Sequence, residues 1–199
     1  AGFSIVSYSG NNASSATIGH GLSSAPELII TKARNLAAGF PTMVKTSSTS
    51  AYGLRLNESS ANNAGNGLGF YNNTAPTASV YTVGGSDEVN DGYNYISYCF
   101  TSVTGYQKIG SYAGNSTSGT LINTGFQPRF VLIKTTNATS NWFILDAARG
   151  GTQDLRPNGS NAEETRTNGV TFVSNGFEID DTSVGFNNSG TTYIYLAIK

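Results

Sequence analysis

Two similar stretches of the sequence decide the fold. One reads Gly125-Phe126-Gln127-Pro128-Arg129-Phe130-Val131-Leu132-Ile133-Lys134, and the other reads Gly21-Leu22-Ser23-Ser24-Ala25-Pro26-Glu27-Leu28-Ile29-Ile30-Thr31-Lys32. Each is a turn that leads through a proline into an apolar strand ending on a lysine. Proline is tolerated at the start of a strand because no hydrogen bond inside the sheet is lost there. The agreement between the stretches predicts that the chain contains one structural unit twice.

The beginnings and ends of the two copies agree as well. Residues 2–11 and 105–115 each contain an alternating strand, a Ser-Tyr pair and then Gly-Asn. Residues 90–100 and 188–198 close the copies with strands rich in tyrosine and isoleucine. Because these agreements lie at both ends of each copy, we expect the duplication to extend over essentially the whole chain.

The spacing of the apolar segments predicts an all-β protein. No window has a sustained helical period, and short strands recur at spacings of about ten residues, as in antiparallel sandwiches. We expect two tandem, internally duplicated, antiparallel β-sandwich lobes of jelly-roll type, at residues 1–101 and 105–199. One sandwich built with internal pseudo-symmetry fits the same pattern.

Two finer predictions concern the later strands. Residues 79–83 of the first copy are expected to correspond to residues 170–173 of the second, since both are short and β-branched. Asn175-Gly176 follows the second of these segments and is the pair that a type I′ hairpin turn favours, because both central positions need positive φ. The sequence therefore predicts a type I′ hairpin there.

Composition and charge exclude several classes of partner. Charged residues make up 12% of the 199 residues and the formal net charge is −1, so no strong field attracts nucleic acid or anionic lipid. No apolar run approaches the roughly 18 residues that a membrane span needs. The chain begins at Ala1 without methionine, and we expect it to be a piece of a longer polypeptide. We predict neither nucleic-acid binding nor membrane insertion.

The residues that usually hold metals are scarce. His20 is the only histidine and Cys99 the only cysteine, so a closed zinc site would need several carboxylates. The densest acidic loop, residues 86–92, does not follow the EF-hand pattern. The second copy has Thr124 where the first has His20, so a local hydrogen bond is the expected role of this histidine. We predict no metal and no cofactor.

Carboxylates near the single tryptophan raise the question of glycoside hydrolysis. That reaction needs two carboxyl groups flanking a sugar, and Asp146 and Asp154 are the first candidates. Arg149 and Arg156 lie close to them in sequence, which favours ordinary ion pairs on a solvated rim. We therefore predict no catalytic residues and a protein that is not an enzyme.

Sugar binding without catalysis fits the composition better. A saccharide ring stacks on an aromatic face and is surrounded by amide and hydroxyl groups, which this chain has in abundance. The candidate ligand-binding residues are Trp142, Tyr52, Tyr71, Tyr93 and Tyr195. Each of these side chains, taken alone, fits a core or an interface between lobes better than a sugar site.

Several motifs together support a resemblance to a known family. They are Ser7-Tyr8-Ser9-Gly10-Asn11, Ile18-Gly19-His20-Gly21-Leu22, Ala25-Pro26-Glu27-Leu28-Ile29-Ile30, Asn73-Thr74-Ala75-Pro76-Thr77, Tyr95-Ile96-Ser97-Tyr98-Cys99-Phe100, Thr124-Gly125-Phe126, Asn141-Trp142-Phe143, Leu155-Arg156-Pro157-Asn158 and Ser174-Asn175-Gly176-Phe177. The pattern resembles an uncharacterised β-rich domain of tailed-phage virion proteins, often marine, which occurs in tail fibres and other appendages.

The resemblance implies an extracellular part of a virion and brings no catalytic residues with it. The expected function is a module of a tail or surface fibre that contributes to attachment to the host surface, with a glycan as ligand. Its expected partners are other virion subunits, and because fibres are commonly trimeric, the resemblance is compatible with a homotrimer, which the sequence itself does not show. The alternatives are a purely architectural module that contacts only virion subunits, a glycan depolymerase, and a cellular adhesin.

Overall fold

The computed structural model describes residues 2–45, 53–62 and 69–199. The strands are β1 (Phe3–Ser9), β2 (Ser15–Gly19), β3 (Leu28–Ala33), β4 (Pro41–Val44), β5 (Leu54–Arg55), β6 (Val80–Gly84), β7 (Asn94–Phe100), β8 (Gln107–Ala113), β9 (Thr120–Asn123), β10 (Phe130–Thr135), β11 (Phe143–Asp146), β12 (Gly150–Leu155), β13 (Glu164–Thr165), β14 (Val170–Val173), β15 (Gly176–Ile179) and β16 (Thr192–Ile198). Residues 69–71 form a short helical turn. The all-β prediction is confirmed.

The chain divides into two compact units. Unit 1 contains Ala1–Asn57 and Asn62–Thr101, and unit 2 contains Glu58–Ala61 and Ser102–Lys199. The sequence predicted a first lobe that ends at residue 101, and the structure differs by grouping four residues of that lobe with unit 2.

Unit 1 is built from a large and a small antiparallel sheet. The large sheet has the strand order β1-β7-β3-β4-β5, and the small sheet pairs β2 with β6. Side chains from both sheets form one core, which consists of Leu22, Ile29, Met43, Phe70, Tyr71, Tyr81, Val83, Val89 and Cys99. A core shared between two sheets is the arrangement of a β-sandwich.

Unit 2 repeats this plan with additional strands. Its large sheet has the order β13-β12-β11-β10-β16-β8, and its small sheet has the order β14-β15-β9. The shared core consists of Ile122, Phe126, Val131, Ile133, Phe143, Leu145, Val170, Phe177, Ile179, Phe186, Tyr193, Tyr195 and Ala197. The sandwich prediction is therefore confirmed in this unit too.

The proline-led stretches form equivalent central strands. In unit 1 the backbone N–H of Glu27 donates to the carbonyl of Phe100, and in unit 2 the N–H of Arg129 donates to Ile198, both at 2.7 Å. Each proline thus stands one residue before the strand starts to pair with the closing strand of its copy. No ladder hydrogen bond is lost, which explains why proline is tolerated here.

The predicted correspondence between residues 79–83 and 170–173 is wrong. Strand β6 pairs with β2, whereas its equivalent in unit 2 is β15, which pairs with β9. Strand β14 is an additional strand on the far side of β15. Both β14 and β15 alternate apolar residues, and that local pattern cannot show which strand occupies the shared position.

The hairpin predicted at Asn175-Gly176 is present, but its turn type differs. Strands β14 and β15 pair from Val170 opposite Ile179 to Val173 opposite Gly176. Positive φ occurs at none of residues 174–176, so the turn is not type I′. Glycine is needed instead for a close approach, since a Cβ at Gly176 would lie 2.1 Å from the carbonyl oxygen of Ile122.

An asparagine bracket closes the same corner of each sandwich. In unit 1 the buried Asn90 donates to the side chain of Asn11 at 3.0 Å and to the carbonyl two residues further on at 2.9 Å. In unit 2 the buried Asn187 does the same with Asn115, at 2.9 and 2.8 Å. The bracket satisfies amide groups that would otherwise be buried without partners.

A pair of stacked tyrosines lies beside each bracket. Tyr8 stacks on Tyr95 with ring centroids 5.1 Å apart, and Tyr112 stacks on Tyr193 at 4.9 Å. The hydroxyl of Tyr8 donates to a backbone carbonyl at 2.8 Å, and that of Tyr112 does so at 2.7 Å. Burial raises the pKa of both phenols well above the ordinary value. The Ser-Tyr pairs recognised in the sequence thus occupy equivalent positions.

Candidate functional site

Three of the five aromatic residues predicted to bind sugar are buried. Trp142, Tyr71 and Tyr195 are 1%, 1% and 6% exposed, so their rings are core residues. A buried ring offers no face for stacking, and we correct the expectation of an exposed face at these three positions. Tyr93 is half-buried, whereas Tyr52 lies outside the described residues.

Two of the buried residues, Trp142 and Tyr195, contact residues that are distant from them in the sequence. The backbone N–H of Trp142 donates to the side chain of Asn158 at 2.8 Å. A Cβ at Gly110 would lie 2.6 Å from the hydroxyl of Tyr195, so this ring fills the space above a glycine of the adjacent strand. Both contacts indicate structural roles for the two aromatic residues.

The exposed aromatic side chains are ones that sequence reasoning did not select. Phe3 is 42% exposed and Tyr106 is 55% exposed. Phe3 is the first residue of β1, which is an edge strand of its sheet. Tyr106 lies in the turn closed by the bridge between Val103 and Gln107. The only sequence signal was their position beside glycine at the start of each copy.

His20 has the local hydrogen-bonding role that its place in a turn predicts. It is buried, its Nδ1 accepts the N–H of Leu22 at 3.1 Å, and its Nε2 lies 3.2 Å from the carbonyl of Thr77. This arrangement assigns the proton to Nε2. In unit 2 the hydroxyl of Thr124 accepts the equivalent N–H of Phe126 at 3.4 Å, which explains why threonine can replace histidine.

Cys99 is a buried thiol, as the apolar surroundings in the sequence predicted. Burial raises its pKa to about 12, so the thiol stays protonated at neutral pH. Across residues 2–45, 53–62 and 69–199, no group of three or more histidine, cysteine or carboxylate side chains could hold a metal ion.

Asp146 is engaged in an ion pair at the rim of unit 2. Arg149 donates from Nε to Asp146 at 2.6 Å and from Nη1 to Glu163 at 2.7 Å. Desolvation raises the pKa of Asp146, but hydrogen bonds from the side chain and backbone of Arg149 outweigh it and hold the pKa below the ordinary value. A general acid needs a raised pKa, so this environment does not suit Asp146 to that role.

Asp154 is the centre of a buried charge network. Its side chain is 1% exposed, Arg166 donates to its Oδ2 at 2.8 Å, and Nε of Arg156 lies 3.3 Å from its Oδ1. Arg166 also donates to Asp181 at 2.6 Å, and Arg156 donates to Glu164. Two guanidinium groups thus lie beside a carboxylate that is removed from solvent, the arrangement that a buried acidic group requires.

Aromatic rings of the core hold the two arginines in place. The guanidinium of Arg166 lies 4.6 Å from the ring centroid of Phe186 and 5.0 Å from that of Phe143. That of Arg156 lies 5.6 Å from Phe143. Arg166 was not singled out in the sequence, because its partners come from β11, β12 and the segment after β15, with no shared spacing.

An open polar groove of about 480 Å³ lies beside this network in unit 2. It is lined by Glu164, Thr165, Arg166, Thr167, Asn168, Asp181, Thr182 and Ser183. Burial raises the pKa of Asp181, but bonds from Ser183 and Arg166 outweigh it and hold the pKa below the ordinary value, so the carboxylate is ionised. The groove therefore presents fixed donors and acceptors together.

Comparison with known proteins places the chain in one family. Residues 1–199 match the family described as domain of unknown function DUF7483. The chain belongs to the DUF7483 family. No curated protein and no solved structure matches it. Within the described part of this DUF7483 chain, no helix has the length and apolar character needed to cross a membrane.

Proposed function

We propose that this DUF7483 chain is an extracellular module of a tailed-phage virion, part of a tail or surface fibre, which helps to attach the particle to a glycan on the host surface. The resemblance of the duplicated motifs to phage appendage domains supports the setting. The polar groove of unit 2 supports the attachment role, and it is the observation that carries the proposal.

The chemistry of the groove suits a saccharide. Sugar hydroxyl groups both donate and accept hydrogen bonds, and the lining offers hydroxyl, amide, carboxylate and guanidinium groups within one surface. Ligand pockets commonly enclose about 300–1,000 Å³. At about 480 Å³ the groove fits a short oligosaccharide segment rather than a large folded partner.

The groove is also rigid at its base. Arg166 is fixed by Asp154 and Asp181 and by two aromatic rings, and the backbone N–H of Ser183 donates to Asp181 at 2.8 Å. A side chain already held in one conformation loses little entropy when it binds a ligand. Groups arranged in this way can bind hydroxyl groups without first being ordered.

The charge of the lining selects among saccharides. Glu164 and Asp181 are negative and Arg166 is positive, so the lining carries one excess negative charge. An acidic sugar would be repelled by this excess, whereas a neutral sugar or an amino sugar would not. We therefore expect neutral or amino saccharides to bind.

Binding of the labelled chain to an array of neutral, amino and acidic bacterial oligosaccharides tests the proposal. Thr182→Trp would place a large ring in the groove, and Thr104→Trp places the same ring at another exposed threonine, in the turn before β8. We expect the first variant to lose binding and the second to retain it. Equal binding by both variants, or no binding by the wild type, would overturn the glycan role.

Bacterial cells provide the second stage of the test. Cells of a strain whose surface saccharide binds on the array are compared before and after that polysaccharide is removed. Loss of binding on removal supports attachment through the glycan. Binding that persists on stripped cells contradicts it.

A purely architectural role is the second candidate, and a separate observation favours it. Phe3 and Ile5 on β1 are 42% and 57% exposed and lie on the same face of the strand, and adjoining exposed apolar side chains indicate a contact surface more than single ones do. Such residues fit contact with other virion subunits. Cross-links from Ile5→Cys to another virion protein, together with an array that shows no bound glycan, would favour this role.

A further inference from the structure

Strand β1 is an edge strand of the large sheet of unit 1. It pairs with β7 in one uninterrupted register from Phe3 opposite Phe100 to Ser9 opposite Asn94. Within residues 2–45, 53–62 and 69–199, no strand pairs with its other side. An edge strand presents unpaired N–H and C=O groups and is therefore a template for another strand.

The geometry identifies the residues whose backbone groups point away from the sheet. The carbonyl of Gly2 accepts from Thr101 and the N–H of Gly10 donates to Tyr93, so even-numbered residues face β7. Odd-numbered residues, including Phe3 and Ile5, consequently turn their backbone groups to the free side. The free side therefore offers a regular series of donors and acceptors.

Nothing in β1 protects this edge. Proteins usually guard exposed edges with charged residues, proline or a bulge, and β1 reads Phe3-Ser4-Ile5-Val6-Ser7-Tyr8-Ser9 with none of these. Its outer face adds an apolar strip, in which the ring of Phe3 lies 4.7 Å from that of Phe100 and 6.4 Å from that of Tyr98. Both the backbone groups and the exposed side chains of β1 are therefore available for contact with a partner.

The equivalent strand in unit 2 is protected. Residue 103 pairs with Gln107 at the start of β8, and the hydroxyl of Ser102 accepts the N–H of Ile109 at 3.1 Å. Strand β8 also carries the exposed Lys108, and Ile109 is 4% exposed where its counterpart Ile5 is 57% exposed. The same strand is covered in one copy and open in the other.

We propose that β1 is a self-association edge, at which a second copy of this chain adds its own β1 antiparallel across a two-fold axis. The two large sheets would then continue as one, and the strips formed by Phe3 and Ile5 of both copies would meet on one face. Association through an added strand combines backbone hydrogen bonds with side-chain contacts.

The absence of charge in β1 argues for an identical partner. A two-fold axis places the β1 of one copy beside the β1 of the other. A charged residue in β1 would therefore lie close to a residue of the same charge in the second copy. Strand β1 has no charged residue, and the whole chain has a net charge of only −1, so no repulsion opposes the pairing. A partner selected by opposite charge would find no charge in β1 to recognise.

Sedimentation velocity over a concentration series, combined with light scattering, tests the inference on the full chain. We expect a dimer for the wild type. Ile5→Lys introduces the charge that guards other edges, and Ser7→Pro removes an N–H from the free side without touching the ladder to β7. Each variant should raise the dimer dissociation constant by at least about tenfold.

Matched controls distinguish the effect of changing the β1 edge from general effects of a substitution on the protein. Val184→Lys changes a similarly exposed apolar residue, 43% exposed, in a turn outside any strand, and should leave the dimer intact. The circular dichroism spectrum should be unchanged in all variants. If Ser7→Pro disturbs folding, the result for Ile5→Lys alone decides whether β1 forms the dimer. A wild type that stays monomeric, a trimer, or a dimer that survives Ile5→Lys would overturn the proposal. The groove variant Thr182→Trp should remain dimeric, so this test is independent of glycan binding.

Discussion

The two units share one plan but use arginine differently. In unit 1 Arg55 donates to both carboxylate oxygens of Glu88, with side chains 20% and 15% exposed, and lies over the ring of Phe70. In unit 2 two arginines surround Asp154, which is 1% exposed. A pair near solvent can be weakened at modest cost, whereas a buried carboxylate depends on its partners.

The difference coincides with two strands that are described only in unit 2. Strands β13 and β14 have no counterpart among the strands described for unit 1, and the segment from β13 to β14 supplies Glu164 and Arg166. The polar groove lies on that segment. Duplication thus explains the sandwich, whereas the candidate site lies on a segment of unit 2 that carries two strands not described in unit 1.

The largest expected effect concerns Arg166. Arg166→Met would leave Asp154 buried with one fewer hydrogen-bonded cation, and we expect a loss of about 3–5 kcal/mol in the free energy of unfolding. Arg55→Met in unit 1 should cost less, about 1–2 kcal/mol, because Glu88 keeps some access to water. Denaturant unfolding followed by fluorescence of Trp142, the only tryptophan, reports unit 2. Labelling of Cys99, the only cysteine, reports unit 1.

A double variant distinguishes charge from packing. Asp154→Asn combined with Arg166→Met removes the buried charge together with its partner, and should recover about 1–3 kcal/mol relative to Arg166→Met alone. Equal costs for Arg55→Met and Arg166→Met, with no recovery in the double variant, would contradict the contrast between the units.

The next effect should be equal in the two units. Asn90→Ala and Asn187→Ala each remove a buried amide that bridges the corner of its sandwich, and each should cost about 2–3 kcal/mol by leaving backbone and side-chain groups unsatisfied. The same denaturant titrations, read by Cys99 for the first and Trp142 for the second, check this. Costs that differ by more than about 1 kcal/mol would show that the brackets are equivalent in geometry only.

The strand-ending lysines differ in burial, and the buried one should make stability depend on pH. Lys134 is fully buried and donates to the carbonyls of Ser59 and Ser140, and burial lowers its pKa from 10.5 to about 8. Its counterpart Lys32 is half-buried and lies 4.9 Å from the ring centroid of Phe40. The unfolded chain therefore holds the Lys134 proton to higher pH than the folded chain does.

The Lys134 contribution to the free energy of unfolding should consequently rise by about 2 kcal/mol between pH 8 and 10, because unfolding binds a proton at this group in that window. The buried thiol of Cys99 ionises only on unfolding and therefore opposes this rise above about pH 9. Above about pH 10 the buried tyrosines reverse the trend, since unfolding then lets their phenols ionise. Lys134→Met should remove this contribution, so the stability of the wild type should gain on that of the variant as the pH rises. Unfolding titrations of both proteins at several pH values provide the measurement, and a stability difference that does not change over this window would refute the assignment.

The smallest expected effect is again shared. Tyr8→Phe and Tyr112→Phe each remove one hydroxyl that donates to a buried carbonyl while the stacked rings remain, and each should cost about 1 kcal/mol. Thermal unfolding of the two variants provides the measurement. A cost confined to one variant would break the equivalence of the two corners.

The sequence allowed much of the fold to be predicted because its information is local. The proline-led strands, the closing strands and the paired Ser-Tyr positions follow from short patterns repeated at matching places. The strand equivalent to β6 was assigned wrongly, since β14 and β15 alternate alike and only the pairing with β9 distinguishes them. An exposed face was expected wrongly at Trp142, Tyr71 and Tyr195 for a related reason: the sequence around an aromatic residue does not show whether its ring will be covered.

By itself the sequence determined an all-β chain, built twice, with low charge. The tertiary structure alone decided where chemistry can occur. Arg166, Asp154 and Asp181 meet only because the folding of unit 2 brings β12, the segment after β13 and the segment after β15 together, and no spacing in the sequence indicates that contact. Exposure is likewise a property of the assembled sandwich: Trp142 is covered and Phe3 is open because burial depends on neighbours that the folded chain supplies.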